Sequence, residues 1–225
     1  MASLRGIILA GGKGTRMLPA TRVMNKHMIP VLNIPMIEYP LKTLIGMGIK
    51  EIMVVSGGNH IGQIAEYLGD GSDYGVSLTY RVQKEAGGIA QALLLAEGFV
   101  DGQFAVILGD NYFDELPKVL PRGMAIITKK VRNPQRFGVL SGSKITEKPK
   151  KPKSNLAVTG LYFYTQEVFE YIKTLKPSKR GELEITDLNN WCLKQCAIVL
   201  EHKGFWSDMG TPESMLDTIK FITKK

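Results

Sequence analysis

Residues 6–30 read GIILAGGKGTRMLPATRVMNKHMIP. The short apolar run Ile7-Ile8-Leu9-Ala10 predicts a strand buried on both faces. It breaks into Gly11-Gly12-Lys13-Gly14-Thr15-Arg16. Glycines at that density allow positive φ and leave the backbone open to a ligand, and successive N–H groups in such a turn form a concave anion site. Arg16 adds a planar fork of donors suited to phosphate, and Lys26 adds a point charge. A plain strand-to-helix turn with two solvated cations is the competing reading. The pattern is neither a Walker loop, since no Lys-Ser or Lys-Thr pair follows the last glycine, nor a dinucleotide fingerprint. Met17 stands where that motif needs glycine, and the second strand ends Val54-Val55-Ser56-Gly57 without an acid.

Outward from this stretch, strands alternate with helices. Strands are expected at Glu51–Ser56, Val76–Val82, Phe104–Leu108 and Met124–Thr128. A hairpin is expected around Ser141-Gly142-Ser143, and strands at Leu156–Tyr164 and Ala197–Glu201. Helices are expected at Pro35–Met47, Ile61–Leu68, Ile89–Phe99, Glu167–Leu175 and Leu183–Leu193, with a last one capped by Thr211 and running to Ile222. Strands spaced by helices imply an α/β fold, mostly parallel, with right-handed crossovers. Ligands in such sheets lie beyond the carboxyl ends of the strands, where the glycine turn, Gln83 and Asp110 all fall.

The 225 residues are 44% hydrophobic and 22% charged, ordinary for a globular chain. No apolar run reaches a membrane span. The N-terminus lacks the apolar core of a signal peptide, so a cytoplasmic protein is expected. Cys192 and Cys196, four apart in an expected helix, read as packed thiols on one face rather than a disulfide framework. The net charge of +8 admits nucleic acid, but no binding motif or aromatic interleaving accompanies the basic runs. Attraction for small phosphorylated substrates is the better reading.

Asp110 follows five apolar residues, where a carboxylate facing a phosphate loop suits Mg²⁺; a turn-capping Asp is the alternative. Asp208 is the natural second ligand, although it also reads as a helix entry. The amide of Gln83 can pair with a base edge. Glu147 can accept from sugar hydroxyls and Lys148 can bind phosphate; a surface ion pair is the alternative. His27, His60 and His202 are scattered, and no nucleophile–base pair is evident.

With Pro19, Asn25-Lys26, Gly69-Asp70-Gly71-Ser72, Leu108-Gly109-Asp110-Asn111, Arg136-Phe137-Gly138, Glu147-Lys148-Pro149, Gly181-Glu182-Leu183-Glu184-Ile185-Thr186-Asp187 and Asp208-Met209-Gly210-Thr211, the glycine turn resembles the signature of the sugar-1-phosphate nucleotidyltransferases. The likeness is strongest to the branch transferring thymidylyl groups to glucose 1-phosphate. It implies a Rossmann-like three-layer sandwich with a mostly parallel central sheet and a small β-rich sugar-binding subregion. It implies one domain, residues 1–110 serving mainly the nucleotide and 111–225 mainly the sugar. Leu9, Gly11, Gly12, Gly14, Thr15, Arg16, Gln83 and Gly88 would bind the nucleotide, and Asn111, Gly138, Glu147, Lys148 and Val158 the hexose or its phosphate. Arg16, Lys26 and Asp110 would be catalytic, with Mg²⁺ on Asp110 and Asp208. The implied substrates are a nucleoside triphosphate, dTTP before UTP, and a hexose 1-phosphate. No nucleic-acid or membrane partner is expected, and a homo-oligomer is left open. His27 stands where the family has Gln or Pro, and Ala86-Gly87-Gly88 where it has a Pro-containing loop. The chain stops soon after its last helix, so the helical extension of longer members is not expected. A non-catalytic sugar-nucleotide sensor and a basic RNA-binding protein are the competing classes.

Overall fold

The computed structural model describes residues 3–12, 14–58, 61–117 and 120–225; Lys13 and His60 lie outside them. Strands Arg5–Ala10 (β1), Glu51–Gly57 (β2), Ser77–Gln83 (β3), Phe104–Leu108 (β4), Ala125–Lys130 (β5), Gly138–Ser141 (β6), Lys144–Glu147 (β7), Leu156–Tyr164 (β8) and Ile198–Glu201 (β9) form one nine-stranded sheet among the described residues. Its path runs β7-β6-β8-β4-β1-β2-β3, with β5 set between β8 and β9. β1 is central and parallel to both β2 and β4, and β3 extends the parallel set beyond β2. From β4 onward the pairing turns antiparallel through β8, and β9 returns to parallel against β5.

The continuous apolar run of β1 is explained by cover on both faces. Ile7 and Leu9 join one core with helices Ile89–Leu94 (α3), Glu167–Thr174 (α4) and Ile185–Lys194 (α5), through Leu93, Phe169 and Leu188. Ile8 and Ala10 point the other way, into a core with Glu38–Gly46 (α1) and Ile61–Leu68 (α2), through Leu41, Leu44 and Ile64. Ile7 and Ile8 are completely buried, each contributing about 1.5–3 kcal/mol relative to exposure. The result is the α/β fold expected from the alternation, in the three layers that the family resemblance implies.

Two two-residue ribbons and a last helix complete the frame. Tyr112–Phe113 pairs antiparallel with Trp206–Ser207. Pro212–Ile222 (α6) begins on a capping box between Thr211 and Ser214, with Pro at the first turn. Its Met215 and Ile219 pack against Val31, Met36 and Met209.

Three helix boundaries differ from expectation. Pro35 is used in the ribbon with Pro30, so α1 starts only at Glu38. α3 stops at Leu94, and the chain tightens into turns in which Ala96 and Glu97 N–H donate three residues back to Leu93 and Leu94. α5 starts at Ile185, because the Leu183 backbone is taken up by Gly87 and Ala90 and the N-cap Glu184 is extended. Cys196 corrects the paired-thiol expectation. α5 ends at Lys194, and Cys196 turns the chain at φ +61. Cys192 is therefore buried and Cys196 exposed.

Candidate active site

Beyond β1 the backbone turns through Gly12 (φ +102) and Gly14 (φ +62). A Cβ on Gly14 would lie 2.8 Å from Thr21 Cγ2 and 3.1 Å from Lys26 Cβ, so glycine there lets the following segment fold back on the turn. Thr21 Oγ1 donates to the Gly14 carbonyl at 2.9 Å. Arg16 follows in a single 3-10 turn, Thr15–Met17.

Lys26 opens another 3-10 turn, capped by Asn25, whose side chain accepts from the His27 N–H. The turn is tied to α2 by the Asn25 N–H donating to Gln63 Oε1 at 3.0 Å. His27 is buried, and its Nδ1 lies 2.9 Å from Asn25 Oδ1; the carbonyl oxygen can only accept, so Nδ1 carries the proton. Lys26 Nζ lies 2.6 Å from Asp110 Oδ2, with 12% and 14% of the two side chains exposed. Burial opposes ionisation of Asp110, but the charges of Lys26 and His27 and hydrogen bonds from Lys26 and Asn111 together hold its carboxyl below the usual carboxylate value.

Asp208 reaches the same place through the ribbon that sets Phe113 opposite Trp206 and Tyr112 opposite Ser207. Arg136 Nη2 donates to both its carboxylate oxygens, at 3.2 Å each. Met209 beyond it is buried at φ +34, a conformation non-glycine residues keep only where the surroundings impose it. Asn111 ties the parts together. Its Nδ2 donates to Asp110 Oδ1 at 2.9 Å, and its Oδ1 accepts from Gly160 N–H at 3.0 Å and Trp206 Nε1 at 2.7 Å. Gly160 lies where the β8–β5 register shifts between Val158 and Tyr162, so the irregularity frees that N–H for the site.

At the end of β3, Gln83 is 8% exposed. Its Nε2 donates to the Gly88 carbonyl at 3.2 Å and to Gln91 Oε1 at 2.8 Å. The Gly87–Gly88 loop is pinned from the other half of the chain, where Leu183 N–H donates to the Gly87 carbonyl at 2.7 Å. On β7, Glu147 Oε2 accepts from Thr186 Oγ1 at 2.6 Å. A Cβ on Gly138 would crowd Ile145 Cγ2 at 3.2 Å and the same Thr186 Oγ1 at 3.3 Å. Lys148, at φ +41, lies 3.5 Å from Glu147. Arg180 is clamped by Glu184 through bonds of 3.0 and 2.6 Å. Glu184 is held below the usual range although burial raises it, because Arg180 and Ser178 hydrogen-bond its carboxylate.

One cavity of about 390 Å³ connects these groups. It is lined by Leu9, Gly11, Gly12, Arg16 and Lys26 around the glycine turn, by Gln83 and Gly88, by Gly138, Glu147, Lys148 and Val158, and by Asp110, Asn111 and Asp208. Gly14 and Thr15 shape the turn without lining the cavity. Arg136, Arg180 and Glu184 line it too, and sequence reading did not single them out. The adjacency of Arg136 to Phe137-Gly138, and of Arg180 to Gly181-Glu182, was the available signal.

The donor set suits Mg²⁺. Among the described residues no three His, Cys, Asp or Glu side chains cluster as a protein-only cage, whereas two carboxylates face one cavity. That matches a cation taking one or two carboxylates and completing its shell with phosphate oxygens and water. Among the described residues no helix is long and apolar enough to cross a membrane.

The sequence matches the family described as Nucleotidyl transferase over residues 5–225. It is 41% identical to a glucose-1-phosphate thymidylyltransferase of Neisseria meningitidis serogroup A / serotype 4A, across 97% of this chain and 82% of that protein. A Bacillus anthracis crystal structure, named as a candidate glucose-1-phosphate thymidylyltransferase and solved with sucrose, superposes with a TM-score of 0.89 at 45% identity, covering 99% of this chain and 96% of the other. A UDP-glucose pyrophosphorylase complexed with UDP-glucose gives a TM-score of 0.85 at 25% identity, covering 99% of both chains.

Proposed function

The chain belongs to the nucleotidyl transferase family, and from that premise we propose that it transfers a thymidylyl group from dTTP to α-D-glucose 1-phosphate, giving dTDP-glucose and pyrophosphate. The observation that carries the reading is a convergence at Gly210. A Cβ built there would lie 3.0 Å from Arg16 Nη2, 3.3 Å from Asp110 Oδ2 and 3.4 Å from the Asp208 carbonyl oxygen. The Arg16 guanidinium and the Asp110 carboxylate thus converge beside the main chain of Asp208, and all three residues line the same cavity, where a phosphoryl group in transfer needs charge from several sides.

The phosphate of a sugar 1-phosphate is largely ionised at neutral pH, its second pKa being about 6. It needs no general base, consistent with the lack of a nucleophile–base pair. One of its oxygens forms the new bond to the α-phosphorus of the triphosphate. The bond from that phosphorus to the bridging oxygen breaks, and pyrophosphate leaves with the electron pair. The protein holds the two anions in line. The N–H groups of the glycine turn and Arg16 hold the triphosphate, and Lys26 neutralises charge at the reacting centre. Asp110 and Asp208 would hold Mg²⁺, which when bound supplies positive charge to the phosphate oxygens. Gln83 and Gly88 read the pyrimidine. Glu147 accepts from hexose hydroxyls, Asn111, Gly138 and Val158 shape the sugar's bed, and Lys148 and Arg180 face its phosphate. On this reading residues 1–110 and 111–225 are the nucleotide and sugar halves of one domain. The reaction belongs in the cytoplasm, where nucleoside triphosphates are available.

A second reading, uridylyl transfer, draws on the likeness to a UDP-glucose pyrophosphorylase and on a Gln83 amide that pairs equally with uracil. Pyrophosphate release is the test, with Mg²⁺, glucose 1-phosphate and dTTP, UTP, CTP, GTP or ATP side by side. Release with dTTP well above the rest is expected. Release led by another nucleotide overturns the base assignment, and no release with any overturns the enzyme assignment.

A further inference from the structure

Gln91 lies on α3 and does not line the cavity, yet it controls a residue that does. Its Oε1 accepts from the Gly87 N–H at 3.0 Å and from Gln83 Nε2 at 2.8 Å. A backbone N–H can only donate, so the Gln91 atom facing it is the carbonyl oxygen. That oxygen, 2.8 Å from Gln83, must be met by a donor, which turns the Gln83 amino group toward it. Independently, the Gly88 carbonyl, which can only accept, lies 3.2 Å from the same Gln83 nitrogen. Two backbone groups of fixed polarity therefore set both amides. The remaining atom, Gln83 Oε1, faces the glycine turn, 3.1 Å from where a Cβ of Gly11 would stand. It is presented there as a pure acceptor.

We infer that Gln91 is a positioning residue for base selection, holding the Gln83 carbonyl oxygen toward the bound base so that bases with an imide N–H are admitted and cytosine is rejected. The inference rests on the reading that Gln83 meets the base. Thymine and uracil present a protonated N3 that donates to this oxygen. Cytosine presents an unprotonated N3, so two acceptors would face each other in a desolvated place, which a site built for a hydrogen bond discriminates against strongly. A Gln83 released from Gln91 can rotate its amide and offer its amino group to cytosine. The Gly88 carbonyl alone is then left to oppose the flip.

The test is kcat/KM with dTTP and with CTP, at saturating glucose 1-phosphate, for wild type, Gln91→Met, Gln91→Glu and Gln83→Ala. Gln91→Met removes the acceptor at similar volume. It is expected to raise KM for dTTP about tenfold and to narrow the dTTP/CTP ratio by a similar factor, the worth of one buried hydrogen bond. KM for glucose 1-phosphate should stay within about twofold, since a tenfold change is what one such bond is worth. Gln91→Glu keeps an acceptor toward both Gln83 and Gly87 and should restore the ratio. If Gln91→Met fails to fold, as judged by its thermal transition, Gln91→Ser withdraws the acceptor at lower bulk and carries the same expectations. A wild-type ratio in Gln91→Met or Gln91→Ser overturns the inference, as does a Gln91→Glu ratio no better than that of Gln91→Met. Gln83→Ala separates the two levels. If it leaves KM for dTTP unchanged, the base is not read at Gln83, and the reading beneath falls together with the inference. If it raises that KM while Gln91→Met keeps the wild-type ratio, only the inference falls.

Discussion

Lys26 Nζ and Asp110 Oδ2 lie 2.6 Å apart, both largely buried, and join two segments 84 residues apart in sequence. Removing one partner leaves the other as an uncompensated charge, the costly case for a buried pair. Lys26→Ala is expected to lower stability by about 3 kcal/mol and kcat/KM by at least about 100-fold. Lys26→Met combined with Asp110→Asn leaves no unpaired charge. It should recover most of the stability and none of the activity. Denaturant unfolding and pyrophosphate release, measured on the same preparations, separate the two effects. Recovery of turnover in the double variant would remove both residues from the chemistry.

The same pair sets a pH dependence. The folded-state value of Asp110 is depressed. Its contribution to stability is therefore present above the unfolded-state value, about 3.9, and is lost as pH falls through the folded-state value. Wild type should keep this contribution at pH 5. In Lys26→Ala, burial is less opposed and the carboxyl rises. The gain in stability between about pH 3 and pH 5 should shrink or change sign. Unfolding free energies across that range, wild type against variant, check it; parallel curves would contradict the assignment.

Asp208 and Asp110 come together through strand pairing between Tyr112–Phe113 and Trp206–Ser207. If both hold the divalent cation, Asp110→Asn and Asp208→Asn should each raise the Mg²⁺ concentration for half-maximal turnover more than about tenfold, since each withdraws an anionic oxygen from a site with at most two. Chelation of divalent cations should abolish turnover reversibly. A Mg²⁺ titration with unshifted midpoints in both variants would show that the carboxylates serve Lys26 and Arg136 alone.

How much of this was legible in the sequence follows from the range of the forces involved. β1 and its glycine turn could be read because a strand covered on both faces must be apolar throughout, and because Gly12 and Gly14 take backbone angles that other residues avoid. Asp110 could be read from its place at a strand end. Its bond to Lys26 could not, nor the grip of Arg136 on Asp208, because nothing local encodes an ion pair between distant segments. The start of α5 was misplaced for a related reason. Leu183 has good helical neighbours, but its backbone is used on Gly87 and Ala90, so a tertiary contact overrode propensity. Glu184 was placed inside the expected helix Leu183–Leu193, and Arg180 just before it stood out only as a charge, so their meeting went unread. Cys196 departed because a left-handed turn of the kind usually given to Gly or Asn fell on a cysteine.

Gly88 and Gly12 share φ +102 but differ in surroundings. A Cβ on Gly88 would lie 2.5 Å from the Leu183 carbonyl oxygen and 2.8 Å from its nitrogen, whereas one on Gly12 meets nothing within 4 Å. Gly12→Ala thus carries conformational strain alone, about 1 kcal/mol. Gly88→Ala adds a clash with backbone that cannot rotate away, and should cost about 2–3 kcal/mol. It should also unseat the Leu183 contact and raise KM for dTTP more than KM for glucose 1-phosphate. Equal destabilisation of the two variants would mean that Leu183 yields freely, and that the loop is not pinned as described.

The two thiols offer a check on the fold that is independent of activity. Cys192 is completely buried on the inner face of α5, and burial pushes its thiol up to about 12, which denies it the thiolate that reacts. Cys196 lies beyond the helix end and is exposed. A thiol reagent at pH 8 should therefore modify one cysteine per native chain quickly and the second only as the protein unfolds. In denaturant both should react at once. Cys196→Ser should abolish the fast phase without loss of stability, since exposed side chains away from packing change it by less than about 0.5 kcal/mol. Cys192→Ser places a hydroxyl among Tyr164, Leu188 and their neighbours, and is expected to destabilise by about 1–3 kcal/mol. Rapid reaction of both thiols in the native protein would mean that α5 does not close over the sheet, and with it the wall that carries Glu184 and Ile185 into the cavity would be lost.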